Sequence, residues 1–151
     1  MKKSFDKVLV ILGPTASGKT GVAIEIAKEL ETRAKAGKPL AGLLGAEIIS
    51  ADSRAIYQGM DIGTAKPSPE EQQGIKHWGI DLMKPGERFT VADWKSYAEK
   101  KIREIQGRGK LPMVVGGTGL YIDALVYDYS FTENGHKMTA SQSVQIFYSL
   151  G

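Results

Sequence analysis

Three short stretches carry side chains that could do chemistry: GPTASGKT at 13–20, the acid Asp52 within ISADSRAIYQGMDIGTAKP at 49–67, and VVGGTGLY at 114–121. The first satisfies G-x-x-x-x-G-K-[ST]. In such a loop glycines let successive backbone N–H groups turn inward around phosphate oxygens. The helix that follows adds partial positive charge at its N-terminus. Lys19 supplies a full charge, and the Thr20 hydroxyl can hold a magnesium ion. The plainer reading is a glycine turn beside a solvated lysine, which leaves the strand before the loop and the helix after it unexplained. The motif names no reaction, because kinases, nucleotide hydrolases and transferases that release pyrophosphate all use it. Asp52 closes an apolar run; taken alone, an acid there can cap a helix, sit in a magnesium shell or act in catalysis. Thr118 taken alone is a turn residue.

These residues need elements to place them. Val8 to Leu12 is a short β-branched run stopped by Gly13-Pro14, the pattern of a fully buried strand. Val22, Ala23, Ile26, Ala27 and Leu30 then recur at helical spacing until Gly37 and Pro39. AEIIS at 46–50 is a second buried strand. Ser68-Pro69-Glu70-Glu71 starts a helix expected to run towards Trp78, and GIDLM at 79–83 reads as a short strand. Thr90 caps a longer helix with Val91, Trp94, Ala98, Ile102 and Ile105 on one face. LPMVV at 111–115 is a third buried strand, followed by GGTG and the helix LYIDALVY.

Alternating strands and helices predict an α/β, three-layer fold of the P-loop NTPase type with a mostly parallel sheet. In a parallel sheet the loops after the strands emerge along one edge, where ligands bind. Gly13, Asp52 and Gly116 each open the polar segment after a predicted strand, so all three stretches should meet on one rim. Residues 1–129 read as the core. The tail at 130–151 is weakly marked: it carries no charged side chain after Lys137, and Val144, Ile146, Tyr148 and Leu150 alternate as in a strand.

With 42 % hydrophobic and 25 % charged residues, the 151-residue chain has an ordinary globular composition, and its net charge of +3 permits a nucleic-acid partner without demanding one. There is no cysteine, which excludes disulfides and thiolate metal sites. No stretch is long and apolar enough to span a bilayer, and a cytoplasmic location is the expectation. Lys66 faces either a phosphate, an RNA or solvent. Trp78 could stack on a base, whereas Trp94 belongs to an apolar helical face. His77 and His136 have no clustered partners and are assigned no metal.

Together, GPTASGKT, ISADSRAIYQGMDIGTAKP and VVGGTGLYIDAL resemble the tRNA dimethylallyltransferases, also called tRNA isopentenyltransferases, from about residue 7 to about residue 128. The second motif discriminates, since generic P-loop kinases lack DIGTAKP after the acid. The resemblance implies transfer of a dimethylallyl group from dimethylallyl diphosphate to N6 of an adenosine beside the tRNA anticodon. It implies that Gly13, Pro14, Thr15, Ala16, Ser17, Gly18, Lys19 and Thr20 hold the diphosphate or a nucleotide, with Mg2+ on Thr20. Asp52, Lys19 and Thr20 would be catalytic, and Asp52, Ser53, Arg54, Ala55 and Thr118 would contact tRNA through its anticodon stem-loop. Many relatives have glutamine where Ala55 stands, so one polar contact to the base is expected to be missing. Family members usually continue through a further tRNA-binding region. The chain therefore reads as a truncated or frame-shifted member, monomeric, with its last fifteen or so residues unrelated to the family. An inert diphosphate-binding fragment, prenylation of free adenine nucleotides, and a small-molecule kinase are the alternatives.

Overall fold

A computed structural model describes residues 7–13, 18–60 and 66–127, together with the backbone of later strands at 130–132, 135–137 and 144–148. Its centre is a five-stranded parallel sheet. The strands are β1 (Val8–Leu12), β2 (Ala46–Ser50), β3 (His77–Trp78), β4 (Leu111–Gly116) and β7 (Val144–Tyr148), in the order β3-β2-β4-β1-β7. A two-stranded antiparallel hairpin, β5 (Ser130–Thr132) and β6 (Gly135–Lys137), stands apart from it. The expected strand in the tail is β7, which lies parallel to β1 with Val8 opposite Val144 and Leu12 opposite Tyr148.

Strand side chains alternate between two faces, and each face has its own helices. Val8, Val10, Ile49, Ala51 and Val114 bury themselves against α3 (Val91–Gly107) and α4 (Gly119–Val126). Ile11, Ala46, Ile48, Met113 and Val115 pack on α1 (Lys19–Lys35). The result is three layers, helix on sheet on helix, as the alternation of elements predicts. Trp94 is fully buried in the α3 layer, where it stacks on Tyr121 at 4.8 Å and donates its indole N–H to the Ser50 carbonyl at 3.0 Å. The Thr90 cap is reciprocal: its hydroxyl accepts from Asp93 N, and the Asp93 carboxylate accepts from Thr90 N.

Three sequence expectations need correction. The buried stripe of α1 comprises Lys19, Ala23, Ile24, Ala27 and Leu30, so Ile24 replaces Val22, which is 45 % exposed. The helix begun at Ser68 is a single turn, α2 (Pro69–Gln72), because Gln73 and Gly74 both adopt left-handed backbone angles. GIDLM is not a strand: Gly79 and Asp81 have φ of 84° and 55°, which no extended segment can contain. The edge strand is instead His77–Trp78, immediately before it.

Candidate active site

The chain reaches the rim at three places, and backbone hydrogen bonds tie them together. Gly13 N donates to the Gly116 carbonyl at 3.4 Å, Thr118 N donates to the Ala51 carbonyl at 3.0 Å, and Ser53 N donates to Thr118 Oγ1 at 3.0 Å. This closeness explains Gly116. A Cβ there would stand 2.4 Å from the backbone of Ala51, inside any permitted contact, so only glycine lets β4 pass the loop after β2. Gly18, by contrast, faces open space and is required by its conformation, φ 81°, which turns the chain into α1. The central residues of the candidate phosphate loop, Pro14, Thr15, Ala16 and Ser17, lie outside the described residues.

Lys19, Thr20 and Asp52 line one recess, with Ser50, His77 and Gly116 among its other walls. Lys19 is only 5 % exposed. Burial pulls its ammonium pKa down, while the Asp52 carboxylate opposes that pull, so the two charges feel each other across the recess. Asp52 is held by its own segment. Its Oδ1 accepts from Arg54 N at 2.9 Å, and its carbonyl accepts from Ala55 N at 3.2 Å. Among the described residues no hydrogen bond reaches its Oδ2, which leaves an acceptor available to a ligand.

Of the other residues singled out from the sequence, Ser53 and Arg54 continue the rim, with Arg54 exposed. Ala55 points away: it is 1 % exposed, and its carbonyl accepts from Asp81 N, so its methyl offers no surface to a substrate. Lys66 is buried rather than solvated; its ammonium bonds the Tyr57 carbonyl at 2.9 Å and Asp81 at 2.5 Å, which pins the second loop. Trp78 is half-buried, donates to Glu47 Oε1 at 2.8 Å, and carries Lys101 4.0 Å above its ring.

Two features escaped the sequence. His77 donates from Nδ1 to the Ile75 carbonyl at 2.8 Å, which makes Nδ1 the protonated nitrogen because a carbonyl only accepts. Its Nε2 is buried with no hydrogen-bond partner among the described residues, and the ring lines the Lys19–Asp52 recess. Pairing with Ile48 across the sheet places it there, a relation that no local pattern announces. Tyr121 stands at the end of the third stretch, with no role assigned to it from the sequence. Burial raises its phenol pKa, and the negative charges of Asp52 and Asp93 raise it further, so the phenol stays neutral.

Comparison with known proteins agrees with this geometry. The sequence model of the family described as "IPP transferase" matches residues 55–146, reaching beyond Tyr129 into the tail. The chain is 45 % identical over 146 residues to a tRNA dimethylallyltransferase of Bacillus subtilis, covering 97 % of this chain and 42 % of that protein. It is 55 % identical over 129 residues to the tRNA dimethylallyltransferase of Acetivibrio thermocellus, covering 85 % and 37 %. The full-length tRNA isopentenylpyrophosphate transferase of Bacillus halodurans superposes with a TM-score of 0.73 at 42 % identity, over 85 % of this chain and 38 % of that one. A eukaryotic dimethylallyltransferase, described as acting on tRNA, superposes with a TM-score of 0.71 at 29 % identity, over 85 % and 29 %. The chain thus spans about two-fifths of the length of the bacterial relatives it matches.

Proposed function

The chain belongs to the IPP transferase family, and on that premise we propose that its rim serves prenyl transfer from dimethylallyl diphosphate to N6 of an adenosine beside a tRNA anticodon. One observation carries the reading: a buried ammonium, Lys19, and a carboxylate with a spare oxygen, Asp52, face the same recess. The reaction needs that pair. As the carbon–oxygen bond of the donor breaks, negative charge builds on the diphosphate, and Lys19 with the loop that precedes it stabilises that charge. As N6 forms its bond to carbon, it becomes acidic. Asp52 Oδ2 accepts one of its protons, and Oδ1 stays fixed on Arg54 N.

A magnesium ion suits the donor set. Mg2+ keeps several waters and takes one or two protein oxygens plus phosphate oxygens, so it needs no all-protein cage. Among the described residues no cluster of three or more His, Asp or Glu could form such a cage. The Thr20 hydroxyl, in the wall shared with Lys19, is the protein oxygen that would hold it. The ion would neutralise the leaving diphosphate. The setting implied is a cytoplasmic monomer acting on an anticodon stem-loop; among the described residues no helix is long and apolar enough to cross a membrane.

The test is a transfer assay with labelled dimethylallyl diphosphate offered to tRNA, to free AMP or to no acceptor. Label in tRNA supports the proposal. Label in AMP alone, or donor binding without transfer, refutes it. Asp52→Asn keeps the Oδ1 acceptor and loses the proton acceptor, so turnover should fall by about 10²–10⁴-fold with donor affinity unchanged. Equal turnover would remove Asp52 from the chemistry.

A further inference from the structure

The recess that holds Lys19 and Asp52 has two half-buried apolar walls, Pro67 and Ile80, above a buried floor of Ile48 and Val115. Neither wall belongs to a strand or a helix, so each depends on its neighbours for its place. Ile80 stands between two residues with left-handed backbone angles, Gly79 at φ 84° and Asp81 at φ 55°. Gly79 N donates to the Tyr97 hydroxyl at 3.1 Å. A left-handed angle is uncommon outside glycine, and Asp81 is held in it by three bonds. Its N–H donates to the Ala55 carbonyl at 2.9 Å, its carbonyl accepts from Gln58 Nε2 at 3.2 Å, and its Oδ1 accepts from Lys66 Nζ at 2.5 Å. Pro67 follows Lys66 directly, and its carbonyl accepts from Gln72 Nε2 at 3.3 Å. One ion pair therefore joins the residue before one wall to the residue after the other. Its lysine end is 7 % exposed and its aspartate end 50 %, so the buried ammonium is committed to this contact and to the Tyr57 carbonyl.

We propose that Lys66 and Asp81 are positioning residues for prenyl transfer, their pair holding Pro67 and Ile80 together as the wall that keeps water from the donor carbon. The inference rests on the prenyl-transfer reading and deepens it, by assigning what directs the prenyl group to the amine. As the carbon–oxygen bond breaks, diphosphate leaves with the electron pair, and the electron-poor carbon takes whichever nucleophile reaches it. N6 forms its bond to that carbon and passes a proton to Asp52. Water attacking the same carbon would give a five-carbon alcohol and release a proton to solvent. Excluding water from a closed site suppresses such side reactions. Neither Lys66 nor Asp81 lines the recess, so the pair acts through the two walls that it joins.

The experiment supplies the full chain with tRNA and dimethylallyl diphosphate labelled in its carbon chain, and reads prenylated RNA and free five-carbon alcohol together. Lys66→Met removes the ammonium and keeps a long side chain. Asp81→Gly removes the carboxylate and suits the left-handed angle. In each, transfer should fall by up to about 10²-fold, and alcohol should become the major product. The double variant should match the single ones, because either change breaks the same pair. Asp81→Asn keeps an Oδ1 acceptor for Lys66 and should restore the parent ratio. That ratio separates positioning from folding, since a partly unfolded population loses both products in equal proportion. An unchanged ratio in both single variants, whether or not turnover falls, overturns the role of the pair and leaves the prenyl-transfer reading standing. A double variant that leaks well beyond either single one shows two independent effects and also overturns it. A parent chain that makes no prenylated RNA overturns the pair and the prenyl-transfer reading together.

Discussion

Strand β2 has a carboxylate at each end, and the protein treats the two in opposite ways. Glu47, in the strand, is 3 % exposed and saturated: Arg108 reaches it twice at 2.9 Å, Trp78 once at 2.8 Å, and Lys110 stands 3.8 Å away. Asp52, just past the strand, has one backbone donor and the distant pull of a buried lysine. A buried charge that only holds a fold is given every partner it can use, since any unmet lone pair costs stability. Asp52, the proton acceptor of the proposed reaction, is oriented through one oxygen and has no hydrogen bond at the other among the described residues. The distinction concerns partners, because both acids belong to β2 and the loop it runs into.

Substitution at each acid should separate these roles, with the largest effect on folding at Glu47. Glu47→Ala removes the acceptor from Trp78 and Arg108 and should cost about 3 kcal/mol, read as a shift of the urea midpoint. The partly exposed Arg108 can still turn to water, which keeps the loss at the lower end for a broken buried pair. Asp52→Asn should change stability by less than about 0.5 kcal/mol. Equal losses at the two sites would erase the contrast. Acid titration tests the same point. Burial pushes the Glu47 carboxyl up, but the bonds from Arg108 and Trp78, with the charges of Arg108 and Lys110, outweigh it and hold the pKa below the ordinary range. The folded value is therefore depressed. The stability it brings is complete above the unfolded value of about 4.3 and is lost as pH falls through the folded value. Glu47→Gln should flatten that part of the acid profile.

A smaller effect is expected where the rim closes. Gly116→Ala forces a methyl into the Ala51 backbone and should cost about 2 kcal/mol, together with loss of diphosphate binding as the loops after β1 and β2 move apart. If stability drops and binding survives, the three loops are not mechanically joined.

The contrast between the two acids also marks what the sequence could show. Lys19, Thr20, Asp52 and Thr118 were legible because each follows a short β-branched run, and a parallel sheet sends all such ends to one edge. The capping of α3 was legible because it is local. Contacts between distant segments were not. His77 enters the recess through a two-residue strand whose place depends on pairing with Ile48 and on the left-handed turn at Gly79. Ala55 shares a motif with the rim residues Asp52 and Ser53 but turns inward, because the Asp52 carbonyl binds its N–H and Asp81 N binds its carbonyl. What Lys66 faces, whether phosphate, RNA or solvent, stayed open in the sequence because its partners Tyr57 and Asp81 lie nine and fifteen residues away.

The finest test of the contrast is Thr118, whose hydroxyl faces both ways. It accepts from Ser53 N at 3.0 Å while its own backbone N–H donates to the Ala51 carbonyl, so the third loop grips the second on either side of Asp52. As an acceptor on one lone pair, the hydroxyl still has its proton to give to a ligand on the rim. Thr118→Val keeps the shape and deletes the acceptor, leaving Ser53 N to water or to nothing, at a cost of about 1 kcal/mol. Thr118→Ser keeps the hydroxyl and should restore nearly all of it. If Asp52 is held by its neighbours rather than by charge saturation, the valine variant should lose more in turnover than in folding, because a freed Ser53 lets the carboxylate swing. Serine should rescue turnover. A valine variant with parent turnover and only the stability loss would reduce Thr118 to a fastening, and would leave Arg54 N as the element that aims the acid.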